Sequence, residues 1–280
     1  MTFKEKQIKL NDLVVNYVES GSGTPIIFLH NGGGFWHSWE HQIRYFTKDY
    51  HVFALDWPGF GKSEGKSNDL NLKLMTNTLE LFINKKRLND IILIGNCIGG
   101  SAALDYSIKH IEKIKKLVIL NICPGDLIYP NKISRKIIFN IGQKKYLKFL
   151  FGWIFLFIAT KTYLKKKFPR ILFGNIYLQN DPLVLRYQSK LKERKQSDSR
   201  LNLFFSAKSY NLKPIIKNKK IPQHLLIWGS QNRVIPLEKL GLNHYNMLKS
   251  NSFEIIENAG HLCMYEKPAK VTKLIESYIN

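Results

Sequence analysis

The feature that most constrains this 280-residue chain is a short apolar run, Ile91–Ile94, that passes directly into Gly95-Asn96-Cys97-Ile98-Gly99-Gly100 and then Ser101-Ala102-Ala103. A run that short reads as a strand buried on both faces, and the small residues after it open a helix. The chain is therefore expected to make a sharp strand-to-helix turn with a cysteine at its apex. Only small neighbours let strand and helix approach that closely, and glycines at 95 and 99 supply the room. The helix would aim its first amides and the positive end of its dipole at the sulfur, which favours thiolate over thiol. The plainer alternative is a structural cysteine in a glycine-rich turn.

Five similar runs punctuate the chain, at 26–30 (IIFLH), 52–56 (VFALD), 117–120 (LVIL), 224–228 (HLLIW) and 253–256 (FEII). Helix-like stretches fall at 69–87 and 101–110, and a last helix, Ala269–Ile279, follows Pro268. With an opening hairpin of Ile8–Leu10 and Val14–Glu19, this order predicts an α/β fold on a central, mostly parallel sheet flanked by helices.

Residues 126–220 break the alternation. They hold 22 Lys and Arg against four acidic residues, so +18 of the formal net charge of +22 lies in one segment. An inserted, mainly helical cap is the economical reading, dividing the chain into core (1–125), cap (126–220) and core (221–280). A field of one sign attracts coenzyme phosphates, acidic proteins, membrane phosphates or nucleic acid. The bland reading is a solvated lysine-rich surface, of which Lys165, Lys166 and Lys167 form one of the densest clusters. Nucleic acid ranks last, since no recognisable binding motif accompanies the charge. Phe149–Thr160 is uncharged, yet as a helix it would span about 18 Å, against about 30 Å for a bilayer core. The N-terminus lacks the pattern of a secretory leader and three irregularly spaced cysteines set no disulfide framework. The expectation is a reduced, cytoplasmic protein, with membrane-surface association through the cap left open.

A turn built around a nucleophile implies an acid and then a histidine further along the chain. His261, in Asn258-Ala259-Gly260-His261, follows the last apolar run and precedes the final helix, where the general base belongs. A lone loop histidine is more often merely solvated, and position is what singles this one out.

Together these stretches resemble the α/β-hydrolase fold superfamily over nearly the whole chain apart from the cap. The resemblance is carried by Leu29-His30-Asn31-Gly32-Gly33-Gly34, Asp56-Trp57-Pro58-Gly59-Phe60-Gly61-Lys62-Ser63, the cysteine elbow, Trp228-Gly229-Ser230-Gln231-Asn232-Arg233-Val234-Ile235-Pro236 and Gly260-His261. It implies Cys97 as nucleophile, His261 as base and Asn232 as third member, with oxyanion stabilisation from the backbone of Ile98 and of Gly32 or Gly33. The chain departs from the family pattern with Cys for Ser and with Asn for the usual acid, and its loop reads His-Asn-Gly where His-Gly is usual. The first two departures fit together. A serine needs a carboxylate to support the imidazolium formed during attack, whereas a cysteine already resting as thiolate beside imidazolium needs mainly an oriented ring, for which Asn suffices in papain-like enzymes. Asp126 is the rival third member. Cys123 and Cys263 read as packing residues and Asp56 as a structural turn residue. No spacing reads as a metal site, and no cofactor is called for.

A thiolate attacks acyl carbonyls, so the implied reaction is acyl transfer through an acyl-cysteine, by a thioesterase or acyltransferase. The elbow is similar to those of dienelactone hydrolases and polyhydroxyalkanoate synthases, although dienelactone hydrolases lack a large cap. The expected partner is a small acyl ester or thioester, with coenzyme A or an acidic carrier protein as candidate anionic donors. The alternatives are a carboxylesterase or lactone hydrolase on a small ester, and a degenerate hydrolase-like protein docking anionic membranes through its cap.

Overall fold

The structure is a computed structural model that describes residues 3–65, 70–129, 131–160, 170–174, 181–250 and 252–280. Lys165, Lys166 and Lys167 lie outside the described residues. Among the described residues, eight strands form one sheet: β1 (Glu5–Leu10), β2 (Leu13–Ser20), β3 (Pro25–Leu29), β4 (His51–Leu55), β5 (Ile91–Asn96), β6 (Ile114–Leu120), β7 (His224–Gly229) and β8 (Ser252–Ile256). Their order is β1-β2-β4-β3-β5-β6-β7-β8. The pairs β1–β2 and β2–β4 are antiparallel and the rest parallel. Every apolar run read as a strand is one.

Burial on both faces explains why these strands are continuously apolar. In β5, Ile91 and Leu93 join one core layer while Ile92 and Ile94 join the other. The first layer is closed by α2 (Leu72–Lys86) and α3 (Ile98–Lys109), through residues such as Leu79, Phe82, Ala103 and Tyr106. The second is closed by α1 (Glu40–Phe46) and the last helix, through Ile43, Phe46, Val271 and Ile275. Each such aliphatic side chain contributes about 1.5–3 kcal/mol relative to exposure. The start of α2 is fixed by Asn71, whose side chain caps the Leu74 amide at 3.0 Å.

Between β6 and β7 lie α4 (Lys132–Gln143), α5 (Lys145–Thr160), α6 (Pro182–Leu191), α7 (Arg194–Phe205) and the short α8 (Leu212–Ile216). After β7 come α9 (Leu242–Leu248), the one-turn α10 (Cys263–Glu266) and α11 (Pro268–Ile279), which opens on Pro268 as expected. Helix α3 begins at Ile98, three residues earlier than the sequence suggested. The small residues after the cysteine are therefore already helical, and strand and helix are joined by Cys97 alone.

Candidate active site

Cys97 has φ 56° and ψ −115°, a backbone state that L-residues occupy rarely and at a cost of about 1–3 kcal/mol. Three backbone hydrogen bonds hold it there. Its N–H donates to Leu120 O at 2.9 Å, and its carbonyl accepts from the amides of Ser101 at 3.0 Å and Cys123 at 3.3 Å. The close approach of strand and helix is visible at the glycines. A Cβ at Gly99 would sit 2.4 Å from Leu29 O, and one at Gly95 would sit 2.4 Å from the carbonyl carbon of Gly99. Both obstacles are backbone and cannot swing aside. Gly99→Ala is expected to destabilise the protein by more than about 3 kcal/mol or to leave it insoluble. Urea unfolding measures this, and a loss below about 1 kcal/mol would mean that the elbow relaxes.

The buried Cys97 lines a cavity of about 280 Å³ together with Gly32, Ile98, Cys123, Leu203 and His261. Its thiol is pulled well below the ordinary cysteine range. The largest cause is the hydrogen bond from Cys123; burial opposes it, and His261 and the Gly32 amide add to it. Cys123 moves the other way, held as a thiol by donating to Cys97 and by its own burial. The expectation that Cys123 only packs is thus corrected, because the turn after β6 brings it beside Cys97. Cys263 fits the packing reading, with burial pushing its thiol up to about 12. Asp56 is a turn anchor that accepts from the amides of Trp36 and Lys62 and from Asn16 Nδ2.

His261 sits on the loop between β8 and α10, its N–H bonded to Leu172 O at 2.8 Å. Its Nδ1 lies 3.2 Å from Asn232 Nδ2. The rest of Asn232 fixes the sense of that bond. Its Oδ1 accepts from the amides of Val234 at 3.0 Å and Ile235 at 2.9 Å. Its NH2 is therefore turned toward the ring and toward Asn121 Oδ1, 3.0 Å away. Asn121 is fixed in turn: Oδ1 also accepts from Gly229 N–H at 3.1 Å, while Nδ2 donates to Asn96 Oδ1 at 3.1 Å and His261 O at 3.2 Å. A ring whose Nδ1 accepts carries its one proton on Nε2, the nitrogen left for Cys97, so the expected imidazolium partner is corrected to a neutral ring that donates through Nε2.

Asn232 therefore orients the ring as a hydrogen-bond donor, the reverse of what a carboxylate at this position does. The surroundings also suit an amide. A carboxylate at 232 would set an oxygen against Asn121 Oδ1 with no proton between them. Asp126, the rival third member, lies elsewhere: its N–H donates to Asn211 Oδ1 at 2.8 Å and its carboxylate faces Arg135 at 4.0 Å.

The structure brings Gly32 and Ile98 to the cavity wall with the sulfur. Gly33 has φ 76°, and its carbonyl accepts from Arg200 at 3.1 Å. The loop is braced from below by His30, whose Nδ1–H donates to Asn31 O at 2.7 Å while Nε2 accepts from Trp57 N–H at 2.9 Å. Burial lowers the His30 pKa to about 3, which keeps that ring neutral. From above, Tyr187 O–H donates to Asn31 Oδ1 at 3.1 Å. Arg200, whose pKa burial lowers to about 10, also borders the cavity. Asn121, Cys123, Tyr187 and Arg200 were not legible as site residues. The only signal was that Asn121 and Cys123 closely follow a buried strand.

A family model described as the alpha/beta hydrolase fold matches residues 24–268. The 2-hydroxy-6-oxo-6-phenylhexa-2,4-dienoate hydrolase of Comamonas testosteroni is 25% identical over 280 aligned residues, covering 96% of this chain and 92% of that protein. Epoxide hydrolase 4 of Homo sapiens is 23% identical, over 98% of this chain and 77% of that protein. Among solved structures, a thermophilic esterase from Thermogutta terrifontis superposes with a TM-score of 0.77 at 16% identity, over 99% of this chain and 98% of its own. A membrane phospholipase A does so with a TM-score of 0.77 at 22% identity, over 99% and 86%. With its sheet order, its cysteine elbow and a family match along most of its length, the chain belongs to the α/β-hydrolase fold family.

Proposed function

We propose that this protein is an acyl-transfer enzyme that takes an acyl group onto Cys97 from a thioester or a similarly activated donor. The observation that carries this reading is the Asn232 amide donating to His261 Nδ1 beside a cysteine nucleophile. In that arrangement the thiolate is supported by three donors, namely Cys123 S–H, the Gly32 amide and His261 Nε2–H. As the thiolate adds to the acyl carbonyl, the amides of Ile98 and Gly32 are the proposed oxyanion donors. Collapse of the tetrahedral intermediate breaks the bond to the leaving group. A neutral imidazole N–H is a poor acid, so a leaving group that departs unprotonated is favoured; a thiolate does so and an alkoxide does not.

The same tautomer shapes the second half-reaction. With Nε2 already protonated, His261 offers water no base, whereas a thiolate acceptor has no proton to lose and needs none. Onward transfer is therefore favoured over hydrolysis. The apolar cavity wall, including Leu203, Phe204 and Val234, suits an aliphatic acyl chain. The excess positive charge of residues 126–220 suits the anionic part of a donor such as coenzyme A or an acidic carrier protein. Hydrolysis of a small ester or lactone is the competing chemistry, favoured by the hydrolase and esterase names of the relatives. Contact of this segment with an anionic membrane surface is a further reading, favoured by the exposed apolar side chains of α4 and α5.

Intact-mass spectrometry tests the acyl-transfer reading with an acyl thioester and the alkyl ester of the same acid. The acyl adduct on Cys97 is expected to form at least about 100-fold faster from the thioester. Equal rates, or no adduct from either, would return the small-ester reading to the front.

A further inference from the structure

Helix α5 places apolar side chains at Tyr146, Phe149, Leu150, Trp153 and Ile154, the i, i+3, i+4, i+7, i+8 spacing of a stripe meant for burial. All five face solvent, between 45% and 66% exposed. The adjoining α4 adds Ile133 (73% exposed), Ile137 and Phe139, and its only buried residue is Gly142. Nine of the fifteen large hydrophobic residues found exposed among the described residues fall within 133–154. A monomeric surface rarely carries so concentrated an apolar patch without a use. The charge around it has one sign: residues 131–154 contain Lys132, Arg135, Lys136, Lys144, Lys145 and Lys148 and no acidic residue. The Arg194 guanidinium lies over the Trp153 and Phe149 rings, 4.8 Å and 5.4 Å from their centroids, and adds a cation at the stripe. No helix among the described residues is long and apolar enough to cross a membrane.

We infer that α4 and α5 form a docking face that lies in the headgroup region of an anionic lipid bilayer, with the α5 stripe inserted and the lysines meeting lipid phosphates. Aromatic and aliphatic residues on one face with lysines and arginines around them are what an in-plane helix needs. Neither the apolar area nor the charge suffices alone for firm binding, and the two act together. A protein partner would require acidic residues around a complementary apolar groove, and a second copy of this chain would set like charge against like. This deepens the membrane contact proposed above and needs no chemistry at Cys97, so Cys97→Ala is expected to dock as wild type does. Loss of acyl transfer and loss of docking are thereby separable.

The test uses the full chain and two vesicle types, phosphatidylcholine alone and phosphatidylcholine with phosphatidylglycerol. Trp153 is a built-in probe, because Trp36, Trp39, Trp57 and Trp228 are all buried. Binding is expected to be at least about tenfold tighter to the anionic vesicles and to weaken with salt. Lipids brominated in their acyl chains are expected to quench the protein fluorescence. That quenching should vanish in Trp153→Phe while binding persists. Phe149→Ser with Trp153→Ser, and separately Lys132→Glu with Lys136→Glu and Lys144→Glu, are each expected to lower vesicle affinity at least about tenfold. Both should keep wild-type turnover of a short, uncharged thioester, which makes no call on the basic surface, and this shows that they fold. The proposal is overturned if the chain ignores anionic vesicles or binds them without quenching at Trp153. It is equally overturned if the chain sediments as a dimer that Phe149→Ser with Trp153→Ser dissolves, since a second copy would then cover the face.

Discussion

Cys97→Ala is expected to abolish the acyl-enzyme and to lower turnover of a thioester by on the order of 10^4-fold or more, because no other group on the elbow can attack. Stopped-flow bursts and intact mass measure this directly, and an adduct that persists would place the nucleophile elsewhere. The more discriminating variant is Cys97→Ser. A serine hydroxyl must surrender its proton as it attacks, and the base has to be an unprotonated Nε2. Asn232 places the ring proton on Nε2, so serine is expected to be within about tenfold of alanine rather than partly active. Robust ester hydrolysis by Cys97→Ser would show that the ring switches tautomer freely and that the Asn232 bond does not govern it.

Asn232→Asp is expected to do two things that ordinarily do not go together. Stability should fall by about 1–3 kcal/mol, since the new oxygen meets Asn121 Oδ1 where the amide had donated to it. At the same time the carboxylate accepts from Nδ1–H and frees Nε2 to act as base toward water. The acyl-enzyme lifetime should therefore shorten by about tenfold or more. Placed in the Cys97→Ser background, the same change should recover ester hydrolysis above that of the single Ser variant. Alanine at 232 is a poorer probe, because it strips the amides of Val234 and Ile235 of their acceptor and disturbs the loop itself. An unchanged acyl-enzyme lifetime in Asn232→Asp, with a lowered melting temperature, would leave Asn232 as a purely structural amide.

The fold was legible because strands buried on both faces leave a simple trace. Ile91–Ile94, Leu117–Leu120 and the other short apolar runs can be satisfied only between two helical layers, and the structure places each in the sheet. The elbow was legible for a similar reason: glycines at 95 and 99 are needed wherever strand and helix close to about 2.4 Å of a would-be Cβ. Cys97, His261 and Asn232 follow from their places after β5, β8 and β7, and the three are brought together. Local patterning also revealed that α5 is apolar, but a stripe at helical spacing looks the same whether it faces a core or solvent.

What the sequence determined by itself was the order of strands and helices, the strained cysteine turn and the chain positions of the histidine and asparagine, since each depends on short-range spacing and side-chain size. Only the tertiary structure decided that Cys123 lies beside Cys97, that Tyr187 and Arg200 brace the loop at Asn31 and Gly33, and which way the Asn232 amide points. That last choice rests on amides at 234 and 235 and on Asn121, more than a hundred residues away. A hydrogen bond has a donor and an acceptor, and which group plays which part is set by every neighbour at once, a property that no local stretch of sequence carries.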